Sequence, residues 1–170
     1  MANLIVYYSR TGENYWAGGI KSIDKGNTER VAEFIQQAVG GDLFQIETVR
    51  AYSPDYMTCI DDAKAEKQAK ARPEIKAYVD DIDAYDTIFV GYPNWWGDAP
   101  MCVYTFLEHY DLSGKRVIPF CTSEGSGLGG SVRGIKRACK GAKVESGLAI
   151  TGNRAAQSQA EVTAWARRYA

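Results

Sequence analysis

Apolar runs alternate with helical patterns along the whole chain. Leu4–Tyr8 is a near-continuous apolar run, short and rich in β-formers, as a strand buried on both faces requires. From Asn27 the apolar positions Val31, Phe34, Ile35, Ala38 and Val39 fall at helical spacing, and Gly40-Gly41 ends that helix. Leu43–Val49 alternates apolar with polar residues and predicts a second strand. Within residues 52–84 the pattern is harder to read: Ala63–Ala71 predicts a helix, Arg72-Pro73 interrupts it, and Ile75–Ile82 predicts another.

Thr87–Tyr92 is the clearest strand. After it, Asp98 and Pro100 are start signals for a helix carrying Val103, Phe106, Leu107 and Tyr110. Arg116–Thr122 predicts a fourth strand, with Leu128, Val132, Ile135 and Cys139 marking the helix that follows. Val144–Thr151 predicts an uninterrupted fifth strand, and Val162, Trp165, Ala166 and Tyr169 a closing helix. Five strands alternating with helices imply one domain over residues 1–170, with a parallel sheet covered on both faces and right-handed crossovers.

Three loops leave the carboxyl ends of these strands with unusual chemistry, and such ends are where α/β sheets bind ligands. The first holds Ser9, Arg10, Thr11 and Gly12, then, after a fourteen-residue gap from Glu13 to Gly26, Asn27 and Thr28 at the first helix. Hydroxyls, an amide and unpaired N–H groups of a helix start make a phosphate cradle, and Arg10 can add charge. The second loop, Pro93-Asn94-Trp95-Trp96-Gly97, places two tryptophans beyond a buried strand, where a flat ligand can stack. The third, Thr122-Ser123-Glu124-Gly125-Ser126-Gly127, supplies backbone groups with little side-chain bulk. Its G-x-G-x-x-G follows the fourth strand, whereas a dinucleotide fingerprint belongs to the first βα turn.

Composition adds exclusions. No apolar run approaches the roughly 18–20 residues of a membrane span, and Met1–Leu4 lacks a secretory signal, so a cytoplasmic protein is expected. The four cysteines have no C-x-x-C spacing and the chain has one histidine, His109; reduced, apolar packing suits them better than metal. His109 reads as structural. Net charge is −1 but uneven: residues 1–132 carry 12 basic and 19 acidic side chains, residues 133–170 carry 8 and 2. A mixed solvated surface and an acidic face for a basic partner both fit. No nucleic-acid motif is present.

The three loops, with Tyr8-Ser9-Arg10-Thr11-Gly12, Gly26-Asn27-Thr28, Gly91–Gly97 and Thr122–Gly127 in this order, resemble the flavodoxin family. The resemblance implies an α/β flavodoxin-like three-layer sandwich, a five-stranded parallel sheet in order 2-1-3-4-5 with helices on both faces. FMN would lie at the switch between strands one and three, an arrangement for which that family is the standard example. It implies that Ser9, Arg10, Thr11, Gly12, Asn27 and Thr28 surround the FMN phosphate. Pro93, Asn94, Trp95, Trp96 and Gly97, with Thr122, Ser123, Glu124, Gly125 and Gly127, would then bind the isoalloxazine side. Glu124 and Asp98 are the carboxylates expected to lower the flavin potential.

A carrier moving single electrons between redox partner proteins is implied, monomeric and with neither nucleic acid nor membrane as partner. An NAD(P)H-dependent flavin or quinone oxidoreductase and a non-catalytic flavin-binding module are the alternatives. The family's continuous Thr-Gly-x-Thr pattern is interrupted here by Glu13–Lys25, which brings Tyr15 and Trp16 either to cover the phosphate or to meet a partner.

Overall fold

The computed structural model describes residues 2–170. A parallel sheet is built from β1 (Ala2–Tyr7), β4 (Asp42–Gln45), β5 (Tyr85–Pro93), β6 (Arg116–Ser123), β7 (Lys143–Val144) and β8 (Leu148–Thr151). Its order is β4-β1-β5-β6, with β7 and β8 both paired to β6. Counting β7 and β8 as one broken strand, this is the expected 2-1-3-4-5 order. Helices α1 (Asn27–Val39) and α5 (Gln159–Arg167) cover one face through Val31, Ile35, Val162 and Trp165. Helices α2 (Tyr56–Ala69), α3 (Met101–Glu108) and α4 (Ser131–Ala138) cover the other through Cys59, Val103, Phe106 and Ile135. All four cysteines are buried and free, and no helix is long and apolar enough to cross a membrane.

Three expectations are corrected. The fifth strand is interrupted: β7 ends opposite Val117 and β8 begins opposite Phe120. The gap faces Ile118 and Pro119, and Pro119 has no N–H for a ladder; Gly147, at φ +86°, supplies the turn. The helix over Ile75–Ile82 does not form. Ile75 instead bridges Thr48, and backbone bonds from Val49 to Glu74 and from Lys76 to Glu47 use the groups a helix needs. Ile75, Tyr78, Val79 and Ile82 still pack on the core, so their spacing reflected burial rather than a helix. The second strand stops at Gln45, because Glu47–Val49 turn to meet that segment. His109 follows the last turn of α3 and stacks on Tyr78 at 3.9 Å between ring centroids.

The Glu13–Lys25 insertion folds as an antiparallel hairpin, β2 (Gly12–Trp16) and β3 (Gly19–Ile23). Its two-residue turn, Ala17-Gly18, has φ of +49° and +90°, the twist that suits a tight hairpin.

Gly91 sets the spacing at the sheet centre. A Cβ there would stand 2.1 Å from the Phe120 ring. Gly91→Ala is therefore expected to lose about 1–3 kcal/mol of stability by overpacking, read as a lower urea midpoint. An unchanged midpoint would contradict this packing.

Candidate functional site

The chain leaves β1 towards β4 on one side and returns through β5 to β6 on the other, so a crevice opens beyond the carboxyl ends of β1, β5 and β6. A cleft of about 200 Å³ occupies it. Of the residues predicted from sequence, Arg10, Asn27, Pro93, Asn94 and Trp95 line it, with Thr122, Ser123 and Glu124. Asn14, Tyr15, Tyr56, Ser126 and Gly152 complete the lining. Ser9 and Thr11 border a neighbouring depression with Gln45 and Lys76.

The two halves of the first loop meet despite the insertion. Gly26 packs so tightly on Ser9-Arg10 that an added Cβ would lie 1.9 Å from Ser9 Oγ and 2.9 Å from the Arg10 carbonyl. Its φ of −65° is ordinary, so glycine is required for space rather than for backbone freedom. Ser9 Oγ accepts the Glu29 N–H at 3.1 Å, capping α1 from outside the helix. The N–H groups of Asn27 and Thr28 meet no acceptor among the described residues and stay available to an anion. Thr28 and Thr122 share a buried hydroxyl–hydroxyl bond of 2.9 Å, tying α1 to β6. The Arg10 guanidinium is spent on the carbonyls of Glu13, Ser53 and Pro54. It organises the loop while still lining the cleft, and the free N–H groups of the helix start lie in the same loop.

The second and third loops are latched by Asn94. Its Oδ1 accepts the Gly97 N–H at 2.9 Å and its Nδ2 donates to the Gly127 carbonyl at 2.6 Å. Ser123 Oγ accepts the Gly127 N–H at 2.9 Å, closing the third loop. Gly125 and Gly127 both have positive φ, which the tight reversal requires. The tryptophans part company. Trp95 is nearly buried, edge-on to Tyr8 and Tyr52 at 5.3 and 5.1 Å, and walls the cleft. Trp96 turns outward at φ +58°, and its indole donates to the Ile60 carbonyl of α2 at 2.7 Å.

The carboxylates also separate. Glu124 lines the cleft, where its oxygens accept the Ala17 N–H at 2.8 Å and the Asn153 side-chain amide at 2.9 Å. It thereby pins the hairpin tip across the site, while Glu13 accepts the Tyr56 N–H at 2.7 Å on the other flank. Asp98 accepts from Tyr104 and the Ala99 N–H and borders a groove beyond the Trp96 turn, outside the cleft. Burial pushes the Tyr56 phenol up and Tyr8 well above its ordinary range. Hydroxyls, amides and an indole face this space, an arrangement for holding a ligand with one anionic end and one planar end.

Sequence reasoning missed Asn14, Tyr56 and Gly152. Tyr56 opens α2, whose cap Asp55 accepts the Thr58 N–H at 2.9 Å and was a readable start signal. The hairpin was readable too, since Ala17-Gly18-Gly19 sits between β-forming Tyr15-Trp16 and Ile20.

Comparison with known proteins agrees with this geometry. A structure of a Bacteroides eggerthii protein assigned as a flavoprotein is 33% identical, covers 96% of this chain and 98% of its own, and superposes with a TM-score of 0.72. A Lactobacillus acidophilus flavoprotein, solved in complex with FMN, shares the fold at a TM-score of 0.65, with 24% identity over 94% of this chain and 98% of its own. Flavodoxin 1 of Escherichia coli K12 is 29% identical over 101 residues, which are 57% of this chain but only 43% of that relative. The flavodoxin family model matches residues 22–169, from the end of the hairpin through α5. With the strand order, the crevice and that match in agreement, the chain belongs to the flavodoxin family.

Proposed function

We propose that the cleft binds FMN and that the protein carries single electrons between redox proteins. The observation that supports this most is the pairing, in one crevice, of an unpaired helix start at Asn27-Thr28 with the Trp95 wall. The FMN complex of the Lactobacillus acidophilus relative lends support to the ligand.

The residues present fit the group. Asn27 and Thr28 N–H would hold the phosphate, and Gly26 lets the backbone come close enough. Trp95 would pack on the ring, with Tyr56 and the hairpin's Tyr15, 6.4 Å apart between centroids, at the open rim. Bound FMN supplies reversible one-electron chemistry. The chain's part is to hold it, to exclude water with Trp95 and the hairpin, and to set its potential. Glu124 is the carboxylate in this cleft, and a differential of ~1.4 kcal/mol between redox states shifts a one-electron potential by about 59 mV.

The test is to load the protein with FMN and mix it anaerobically with NADH or NADPH, with and without a quinone. A carrier keeps its flavin absorbance on the timescale of mixing and is reduced when a separate flavoprotein reductase is added. Rapid bleaching and turnover with quinone would instead assign an NAD(P)H-dependent oxidoreductase.

A further inference from the structure

Five large apolar side chains are exposed among the described residues: Tyr15, Ile20, Val49, Met57 and Trp96. Four of them form a connected series that starts at the cleft, which Tyr15 lines. Tyr15 and Ile20 are cross-strand partners and share one face of the hairpin. The Tyr15 ring meets Tyr56, the next residue is Met57, and one turn on the Ile60 carbonyl holds the Trp96 indole. Trp96 is 44% exposed and kept outward by a left-handed backbone that a non-glycine residue seldom adopts. An apolar rim held in place against strain marks a contact surface rather than leftover core.

The flank of this crescent is cationic. Lys64 Nζ lies 5.0 Å over the Trp96 ring, and Lys67 donates to the Trp96 carbonyl. Lys67, Lys70 and Arg137 border one groove of about 420 Å³ beside the Trp96-Gly97 turn. Arg133 reaches Gly130, whose N–H donates to the Gly97 carbonyl at 2.8 Å. Of the carboxylates here, Glu108 is paired with Arg72, whereas Asp98, held by the neutral Tyr104 hydroxyl and the Ala99 N–H, keeps its charge. Asp61, one turn before Lys64, is exposed and also carries its charge here. Three lysines and two arginines, Lys64, Lys67, Lys70, Arg133 and Arg137, thus stand against two carboxylates without a cation, Asp61 and Asp98.

We infer that this crescent and its flank dock an acidic redox protein, apolar contact over Tyr15, Ile20, Met57 and Trp96, and partner carboxylates against Lys64, Lys67, Lys70, Arg133 and Arg137. The inference rests on the FMN reading for its redox sense. Across the contact one electron leaves the reduced centre and enters the oxidised one, and no bond is made or broken. The overall charge of −1 does not oppose this, since docking responds to the charges within about a Debye length, roughly 10 Å at 0.1 M salt.

Two measurements test it, with an acidic [2Fe–2S] ferredoxin and the basic cytochrome c as probes. The first titrates ¹⁵N-labelled protein with each probe and needs no flavin. Saturable shifts from the ferredoxin at Met57, Lys64, the Trp96 indole and Arg133 are expected; shifts confined to the α1–α5 face, or saturation by cytochrome c alone, overturn the inference. The second follows electron transfer between FMN-loaded protein and ferredoxin against ionic strength. Its rate should fall as salt rises, and Lys64→Glu/Arg137→Glu should lower it by about tenfold or more at low salt, with FMN stoichiometry unchanged. A rate indifferent to both salt and charge reversal would refute the docking. Failure to take up FMN in the first place would instead count against the proposed function and leave the NMR result readable.

Discussion

Replacing Gly26 by alanine should weaken FMN binding by about 10–100-fold while leaving riboflavin binding nearly unchanged. The added methyl group would stand 1.9 Å from Ser9 Oγ, a contact that a side-chain rotation of Ser9 could relieve, but also 2.9 Å from the Arg10 carbonyl and 3.1 Å from the Arg10 nitrogen. Those two atoms are backbone, and the loop carrying them is anchored by Arg10 through the carbonyls of Glu13, Ser53 and Pro54. Gly26 must therefore retreat and take the start of α1 with it, since its carbonyl accepts the Arg30 N–H at 3.2 Å. The N–H groups of Asn27 and Thr28 are the part of the site that moves. A ligand with no phosphate barely feels that change. Isothermal titration with both flavins measures it, and equal losses for the two would remove Gly26 from the phosphate end.

Trp95→Ala should act differently, costing about 3 kcal/mol of stability and weakening FMN and riboflavin alike. Trp95 is 9% exposed and edge-packed on Tyr8 and Tyr52, so its removal leaves a gap in the core below the cleft as well as a missing wall above it. Trp95→Phe, which keeps an aromatic edge towards both tyrosines, separates the two roles: stability should return in large part, flavin affinity only partly. Chemical denaturation of the flavin-free variants gives the first quantity and fluorescence titration the second. If Trp95→Ala spared riboflavin, the indole would not be the ring wall.

The architecture was legible because each buried strand and each amphipathic helix declares itself by period. Leu4–Tyr8 and Ile88–Tyr92 are near-continuous apolar runs, as central parallel strands are, and Val31 to Val39 keep a helical stripe. The places that misled share a cause. Ile75, Tyr78, Val79 and Ile82 are spaced like a helix, yet their backbone is taken by the 47–49 segment, a tertiary choice that local pattern cannot display. The break between β7 and β8 depends on what lies opposite, Pro119 of β6, rather than on residues 144–151 themselves.

Within the site, residue types pointed to the three loops, but side-chain direction did not follow from them. Arg10 lines the cleft, but its guanidinium also bonds three backbone carbonyls, which its residue type does not announce. Trp95 and Trp96 are adjacent in sequence and face different environments, with Trp96 itself at a positive φ where the chain turns. The insertion stands out in the sequence as a gap in a motif, with a hairpin turn legible at Ala17-Gly18. In space Gly26 closes that gap against Ser9, and the extruded hairpin becomes the cover of the cleft, pinned by Glu124 and Glu13.

FMN held in this crevice would set its phosphate at Asn27-Thr28 and its ring at Trp95. Titrating the flavin-free protein with FMN, riboflavin and FAD while following flavin and tryptophan fluorescence together tests it most directly. The expected result is one-to-one saturation with quenching of both signals, FMN binding more tightly than riboflavin because the unpaired N–H groups of α1 gain their anion. Absence of quenching with any of the three flavins, or riboflavin binding as tightly as FMN, would contradict it.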